Sequence, residues 1–230
     1  MGASVIIAAA GTASRMQGTD KIMYKINGKE VLLHSVLAFK NAGCTDKIVV
    51  VTSADKIEKI TDILNNAELN LPFEVVRGGE TRQKSVLNGL GRCCDSSDCI
   101  MIHDAARPMI SPELIKELYK KVVDEKIGAA AVGVKVKDTI KEVSESGVIL
   151  STPDRNSLVA IQTPQCFETA LYKKAFEEAE KQGRDYTDDC QLVEAIGKSV
   201  YVVEGDYKNI KITTPDDLIL AETFLKEREK

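Results

Sequence analysis

The chain has only two histidines, His34 and His103, among 230 residues. Its six cysteines, Cys44, Cys93, Cys94, Cys99, Cys166 and Cys190, form no C-x-x-C pair. A zinc site therefore has little to build on. No Ser-His or Cys-His arrangement for nucleophilic catalysis is in view. A disulfide framework is not expected in a chain of this size without an export signal, so the cysteines read as reduced, small apolar fillers. No apolar run approaches the ~20 residues that span a bilayer, so no membrane partner is expected. The first residues lack the basic start and long apolar core of a secretory signal, and the expected location is cytoplasmic. Lys and Arg total 31 against 35 Asp and Glu, a net charge of −4 with no long basic run. That balance argues against a nucleic-acid partner but permits a local cationic pocket. Two phosphate-binding signatures are missing as well. No G-x-x-x-x-G-K-[ST] occurs, and Ala13 stands where a G-x-G-x-x-G loop needs its second glycine.

What is present begins at Ser4. An apolar run, Val5-Ile6-Ile7-Ala8-Ala9-Ala10, stops at Gly11, and small or polar residues follow before two cations, Arg15 and Lys21. A buried strand feeding a loop of small residues lets an anion approach backbone N–H groups, and nearby cations neutralise its charge. Taken alone, the same residues also suit an ordinary strand-to-helix turn.

Apolar runs alternate with helical spacing along most of the chain. Strands are expected at Val5–Ala10, Lys47–Thr52, Phe73–Val76, Cys99–Ile102, Ala129–Val134 and Val200–Val203. Helices are expected from Val31 to Ala42, closed by Gly43, from Ala54 to Asn66, and from Thr81 to Arg92. Two more start at Ser111-Pro112-Glu113 and Thr214-Pro215-Asp216, each with a capping hydroxyl, a first-turn proline and an acid. Such alternation predicts an α/β fold, a mainly parallel sheet with helices on both faces. Ligands of these sheets bind beyond the carboxyl ends of the strands. Three polar clusters follow apolar runs directly: Gly11–Arg15, Gly78-Gly79-Glu80 and His103-Asp104-Ala105-Ala106-Arg107-Pro108. They are expected to share one sheet edge.

From Val134 to Phe167 no helix is evident. Two short apolar runs flank Ser144-Glu145-Ser146-Gly147 and read as a β-arm at about 136–158. A lone hairpin has too little core to stand by itself. It packs either on a second copy of the chain or back on its own sheet. The whole chain, 1–230, reads as a single domain.

The ordered set Ala9-Ala10-Gly11…Arg15-Met16…Lys21, Gly78-Gly79…Arg82-Gln83…Ser85-Val86, His103-Asp104-Ala105-Ala106-Arg107-Pro108, Asp138-Thr139, Asp154-Arg155, Gln162-Thr163-Pro164-Gln165, Thr187-Asp188-Asp189 and Asn209-Ile210-Lys211 resembles the 2-C-methyl-D-erythritol 4-phosphate cytidylyltransferase family. The resemblance covers nearly the whole chain. It implies a Rossmann-like nucleotidyltransferase fold with a protruding β-arm, a homodimer, and Mg²⁺ as cofactor. It implies transfer of CMP from CTP to 2-C-methyl-D-erythritol 4-phosphate, giving the CDP-alditol and pyrophosphate. By the same resemblance Ala9, Ala10, Gly11, Gly79, Glu80 and Ser85 meet the cytidine end, and Arg15 and Lys21 stabilise the transition state. Asp104 and Arg107 match ribose, metal or phosphate contacts, Arg107 on the side of the second substrate. Thr139, Arg155, Thr163, Thr187 and Lys211 surround the second substrate. On the residues alone, Asp104 also suits a turn cap, Arg107 a structural ion pair, and the threonines capping hydroxyls. His103 reads as a buttress of its loop rather than a base. The opening loop departs from the family by Thr12-Ala13-Ser14 in place of a further glycine, and by Asp20 where proline is usual. A cytidylyltransferase for another polyol phosphate, such as ribitol 5-phosphate, and a nucleotide-binding dimer without turnover stay open at this point.

Overall fold

The computed structural model describes residues 2–11 and 20–228. Strand β1 (Ala3–Ala8) leads to a small hairpin of β2 (Lys25–Ile26) and β3 (Lys29–Glu30). Then come α1 (Val31–Ala42), β4 (Thr45–Thr52), α2 (Ile57–Asn66), β5 (Phe73–Arg77), α3 (Arg82–Leu90), β6 (Cys99–Asp104), α4 (Pro112–Val123) and β7 (Ala129–Lys135). An arm of β8 (Glu142–Val143) and β9 (Ile149–Ser151) precedes β10 (Val159–Glu168), α5 (Thr169–Lys181), α6 (Asp189–Ala195), β11 (Tyr201–Glu204) and α7 (Pro215–Arg228).

Seven strands form one sheet in the order β11-β7-β10-β6-β1-β4-β5. β1 runs parallel to β4 and β6, β4 to β5, and β7 to β11. Only β10 opposes its neighbours, lying antiparallel to β6 and β7. The period of two sorts the strands into two cores. Val5 and Ile7 of β1, Ile48 and Val50 of β4, and Met101 of β6 pack with α1, α2, α4 and α7 on one face. Ile6, Val49, Val51, Ile100 and Ile102 pack with α3, α5 and α6 on the other. Because both faces are covered, the strands read as unbroken apolar runs rather than alternating ones. The helix ends follow their sequence signals. Ser111 Oγ accepts the Leu114 N–H, and Gly43 closes α1 in the left-handed conformation at φ 70°.

The expected parallel frame is present, with one strand and two helices added. β10 fills the centre of the sheet although Pro164 sits inside it. A proline in a central strand removes a ladder donor. Here the pairing with β7 breaks between Ile161 and Gln165, so the missing donor falls in the gap. Helix α5 carries Tyr172, Ala175, Phe176 and Ala179 at helical spacing, all buried.

The arm β8–β9 forms its own two-stranded sheet and does not join the central one. Val143, Val148, Ile149 and Leu150 are each 55% to 62% exposed. The alternative in which the arm folds back on its own sheet is therefore not the conformation adopted. Among the described residues, no helix is long and apolar enough to cross a membrane.

Candidate active site

The carboxyl ends of β1, β4 and β6 meet the loop after β5 at a cavity of about 440 Å³. Ala9, Ala10, Gly11, Lys21, Gly79, Glu80, Ser85, Asp104 and Lys211 line it. The clusters expected on one edge are thus brought together where a parallel sheet places its ligands. Arg15 lies outside the described residues, as do Thr12, Ala13, Ser14 and Met16.

One wall is a close packing of backbone. Ala9 N–H donates to Val51 O (2.8 Å) and Gly78 N–H to Thr52 O (2.8 Å), pinning two loops to the end of β4. A Cβ on Gly78 would lie 2.8 Å from Ala10 Cβ, and one on Gly79 would lie 2.5 Å from Lys84 Cβ. Only glycine lets the loop press against both β1 and α3. Ser85 closes the arrangement. Its hydroxyl accepts the Gly79 N–H (3.1 Å) and donates to Thr81 O (2.8 Å). Glu80 stays exposed and pairs with Lys84 Nζ at 2.9 Å.

Lys21 is held by its neighbours. The Asp20 carbonyl accepts N–H groups from Met23 (3.1 Å) and Tyr24 (2.9 Å), and Ile22 is buried. The Asp20 carboxylate pairs with Lys56 Nζ at 2.8 Å. The acid that replaces the usual proline thus has a cation of its own, which limits its effect on Lys21.

Asp104 ends β6 and is the electrostatic centre of the opposite wall. Its Oδ2 lies 2.9 Å from Lys211 Nζ and 3.4 Å from Arg107 Nε. Burial pushes the Asp104 carboxyl up, but Lys211, Arg107 and Arg82 outweigh it and hold the carboxyl at about 2. Lys211 is placed by the residues beside it. Buried Asn209 donates through Nδ2 to Gln162 Oε1 (3.1 Å) and Thr163 O (3.0 Å), and Ile212 N–H donates to Ala106 O (2.8 Å). Arg107 donates to Asn209 O at 2.8 Å, tying the same segment to β6.

Thr163 is buried against this wall. Its hydroxyl accepts the Asp104 N–H (3.0 Å) and donates to His103 Nδ1 (3.1 Å). Because the Arg107 carbonyl can only accept, His103 carries its proton on Nε2, 3.2 Å from that oxygen, which leaves Nδ1 to accept from Thr163. That buried ring buttresses the loop. Burial, only partly opposed by Asp104, pushes its pKa down from 6.5 to about 4. The unfolded chain then binds a proton between those values that the folded chain refuses. Stability is lost as pH falls through that window, on the order of 3 kcal/mol once pH is below the folded value. Histidine NMR should show the His103 ring neutral down to about pH 4. A midpoint at the ordinary 6.5 would contradict the buried, Nε2-protonated ring.

A family model described as 2-C-methyl-D-erythritol 4-phosphate cytidylyltransferase matches residues 3–227. The chain belongs to that family. A curated cytidylyltransferase of this name from Caldanaerobacter subterraneus subsp. tengcongensis is 47% identical over 229 residues, covering 99% of this chain and 100% of the relative. The crystal structure of 4-diphosphocytidyl-2C-methyl-D-erythritol synthase from Anaerococcus prevotii superposes with a TM-score of 0.86 at 32% identity, covering 98% of each chain. The 2-C-methyl-D-erythritol 4-phosphate cytidylyltransferase structure from Thermus thermophilus gives 0.78 at 31% identity, covering 98% of this chain and 100% of that one.

In this cytidylyltransferase-family chain, not every expected site residue reaches the cavity wall. Thr139 and Arg155 lie exposed in the arm, where an Arg155 guanidinium N–H donates to Lys137 O at 2.9 Å. Thr187 is exposed just before α6. Arg82 and Thr81 line the cavity without having been singled out as site residues. For Arg82 a signal existed. It opens α3, where the helix dipole disfavours a cation, so a local partner had to be sought. That partner is Asp189, 2.5 Å away.

Proposed function

We propose that the chain transfers the cytidylyl group of CTP to 2-C-methyl-D-erythritol 4-phosphate, releasing pyrophosphate and 4-diphosphocytidyl-2-C-methyl-D-erythritol, in the cytoplasm. The observation that carries this reading is the cavity itself. A wall of glycine, alanine and backbone faces a wall of fixed charge, at the carboxyl edge of a sheet whose whole length matches the family.

A phosphate monoester loses its second proton near pH ~6, so the attacking oxygen is already anionic at neutral pH. It forms a bond to the α-phosphorus as the bond to the bridging oxygen breaks, and pyrophosphate leaves with that electron pair. No protein base is required, which suits a site whose one histidine is buried and bonded on both nitrogens. The barrier is two anions meeting while charge grows on the α-phosphate and leaving group. Lys21 and Arg15 supply positive charge against it, and the small residues of the loops at Ala9–Gly11 and Gly79 let the nucleotide come close to the backbone. Lys211 faces the polyol phosphate side, next to Asp104, and Arg107 acts there through its bonds to Asp104 and Asn209. Thr163 acts there through the bonds it makes to His103 and Asp104.

Mg²⁺ fits this donor set. No cluster of three His, Cys, Asp or Glu side chains exists among the described residues. Mg²⁺ commonly takes one or two carboxylates and draws its remaining ligands from substrate phosphates and water. Asp104 is the carboxylate for that task. Both cations hold its Oδ2, so Oδ1 would be the atom free to hold the ion. An ion held there would supply neutralisation of phosphate charge.

The arm is read as a dimer contact. Its apolar side chains, with Val159 and Ile161 at its base and Tyr201 and Val202 on the edge strand β11, are exposed. An isolated hairpin is marginal and an open edge strand invites pairing. A second copy covers both, and brings Thr139 and Arg155 to the partner's cavity. Light scattering at micromolar concentration should give the mass of two chains, and Leu150→Asp should shift it toward one. A wild-type monomer would contradict the arrangement.

The reading as a whole is tested by pyrophosphate release from CTP with methylerythritol phosphate, with UTP and ribitol 5-phosphate as controls. Release with CTP and methylerythritol phosphate, well above either control, is expected. Equal release with ribitol 5-phosphate would move the assignment to a different polyol.

A further inference from the structure

Behind Arg82 runs a buried chain of contacts that the proposed reaction has not used. Arg82 lines the cavity with its side chain 31% exposed, while Asp189, which grips it at 2.5 Å, is 1% exposed. The other Asp189 oxygen accepts the Tyr172 hydroxyl at 2.6 Å. Tyr172 is itself fixed. Its ring stacks on Phe167 at 4.7 Å between centroids and meets Phe176 edge-on at 5.1 Å. A path therefore leads from the aromatic core under α5, through a phenol and a carboxylate, to a guanidinium at the cavity wall.

We propose that Asp189 is a positioning residue for the nucleotide: it holds the Arg82 guanidinium against the cavity wall, and Tyr172 holds Asp189.

Guanidinium has five N–H donors in a rigid fork, so the ionic contact of Nη2 with Asp189 Oδ2 restricts where the others point. An ungripped arginine at the first position of α3 would turn away from the helix dipole into water. Burial alone would ease the proton off Arg82, and Asp189 more than reverses that, so the pair stays charged. The neighbouring turn is fastened to the same loop. Gln83 Oε1 accepts the Tyr186 N–H (2.7 Å) and Gln83 Nε2 donates to Arg184 O (3.1 Å). Arg82 and its acid are thus carried by two segments that are bonded together and cannot drift apart independently.

The inference rests on the proposed binding of CTP and is tested by calorimetry with CTP alone, beside melting curves. Asp189→Asn is expected to weaken CTP binding about tenfold, and Arg82→Ala by at least as much. In the Arg82→Ala background, Asp189→Asn should change CTP affinity by less than twofold, because its effect travels through the arginine. Tyr172→Phe keeps the ring stack, guards against a folding defect in the other variants, and should weaken CTP two- to fourfold. A purely structural ion pair would instead lower the melting temperature and leave CTP affinity within twofold, or give effects that multiply in the double variant. Either result overturns the inference alone. A wild-type chain that binds no CTP overturns both the inference and the proposed function.

Discussion

Lys21→Ala should lower kcat by roughly 10²–10³, the usual cost of removing one preorganised donor to developing charge, with the fold intact. The separation follows from where the residue sits. The turn that carries Lys21 is held by others: the Asp20 carbonyl takes two N–H bonds, its carboxylate takes Lys56, and Ile22 is buried. Removing the ammonium leaves each of those anchors. What disappears is a positive charge on the wall of the cavity where two phosphates must meet. Arg15→Ala should behave alike if Arg15 serves the same charge. Steady-state pyrophosphate release, read beside a melting curve, checks both. Near-normal turnover in both variants would remove the assigned role.

Asp104→Asn should do double damage. Asparagine keeps the shape but leaves Arg107, 12% exposed along its side chain, without its counter-charge. Breaking a buried pair from one side typically costs about 3–5 kcal/mol. The lower end is expected, because Lys211 is 43% exposed and can turn to water. Activity should fall with it, since the same carboxylate is the proposed metal ligand and organises both cations. Urea unfolding should therefore rank the stability losses as Asp104→Asn, then Arg107→Ala, then Lys211→Ala. Lys211→Ala should weaken the polyol phosphate while costing little stability, as partly exposed pairs do. If Lys211→Ala proved as destabilising as Asp104→Asn, the wall would be a structural network and not a binding surface.

Legibility in the sequence followed the physics of each element. Strands buried on both faces announce themselves as apolar runs, so β1, β4 and β6 were readable to within two residues at each end. The rule that ligands gather at carboxyl ends then placed Gly11, Gly79 and Asp104 together. β10 was hidden because Gln162, Pro164 and Gln165 break its apolar run, and only the gap in its pairing makes that proline tolerable. The tasks of Thr163 and Arg107 were equally hidden. A threonine or an arginine looks the same in sequence whether it faces a ligand or, as here, bonds inward to His103, Asp104 and Asn209. Pairings such as Arg82 with Asp189 join residues more than a hundred positions apart, which no local spacing encodes.

The most direct measurement is single-turnover pyrophosphate release from CTP and methylerythritol phosphate across pH, for the wild type and Lys21→Ala. If fixed charge alone does the work, the wild-type rate rises as the substrate phosphate loses its second proton near pH ~6 and then stays level. The variant should trace the same curve, lower at every pH by a constant factor of roughly 10² or more. A variant within a few-fold of wild type, or a curve whose shape changes with the mutation, would contradict catalysis by preorganised positive charge.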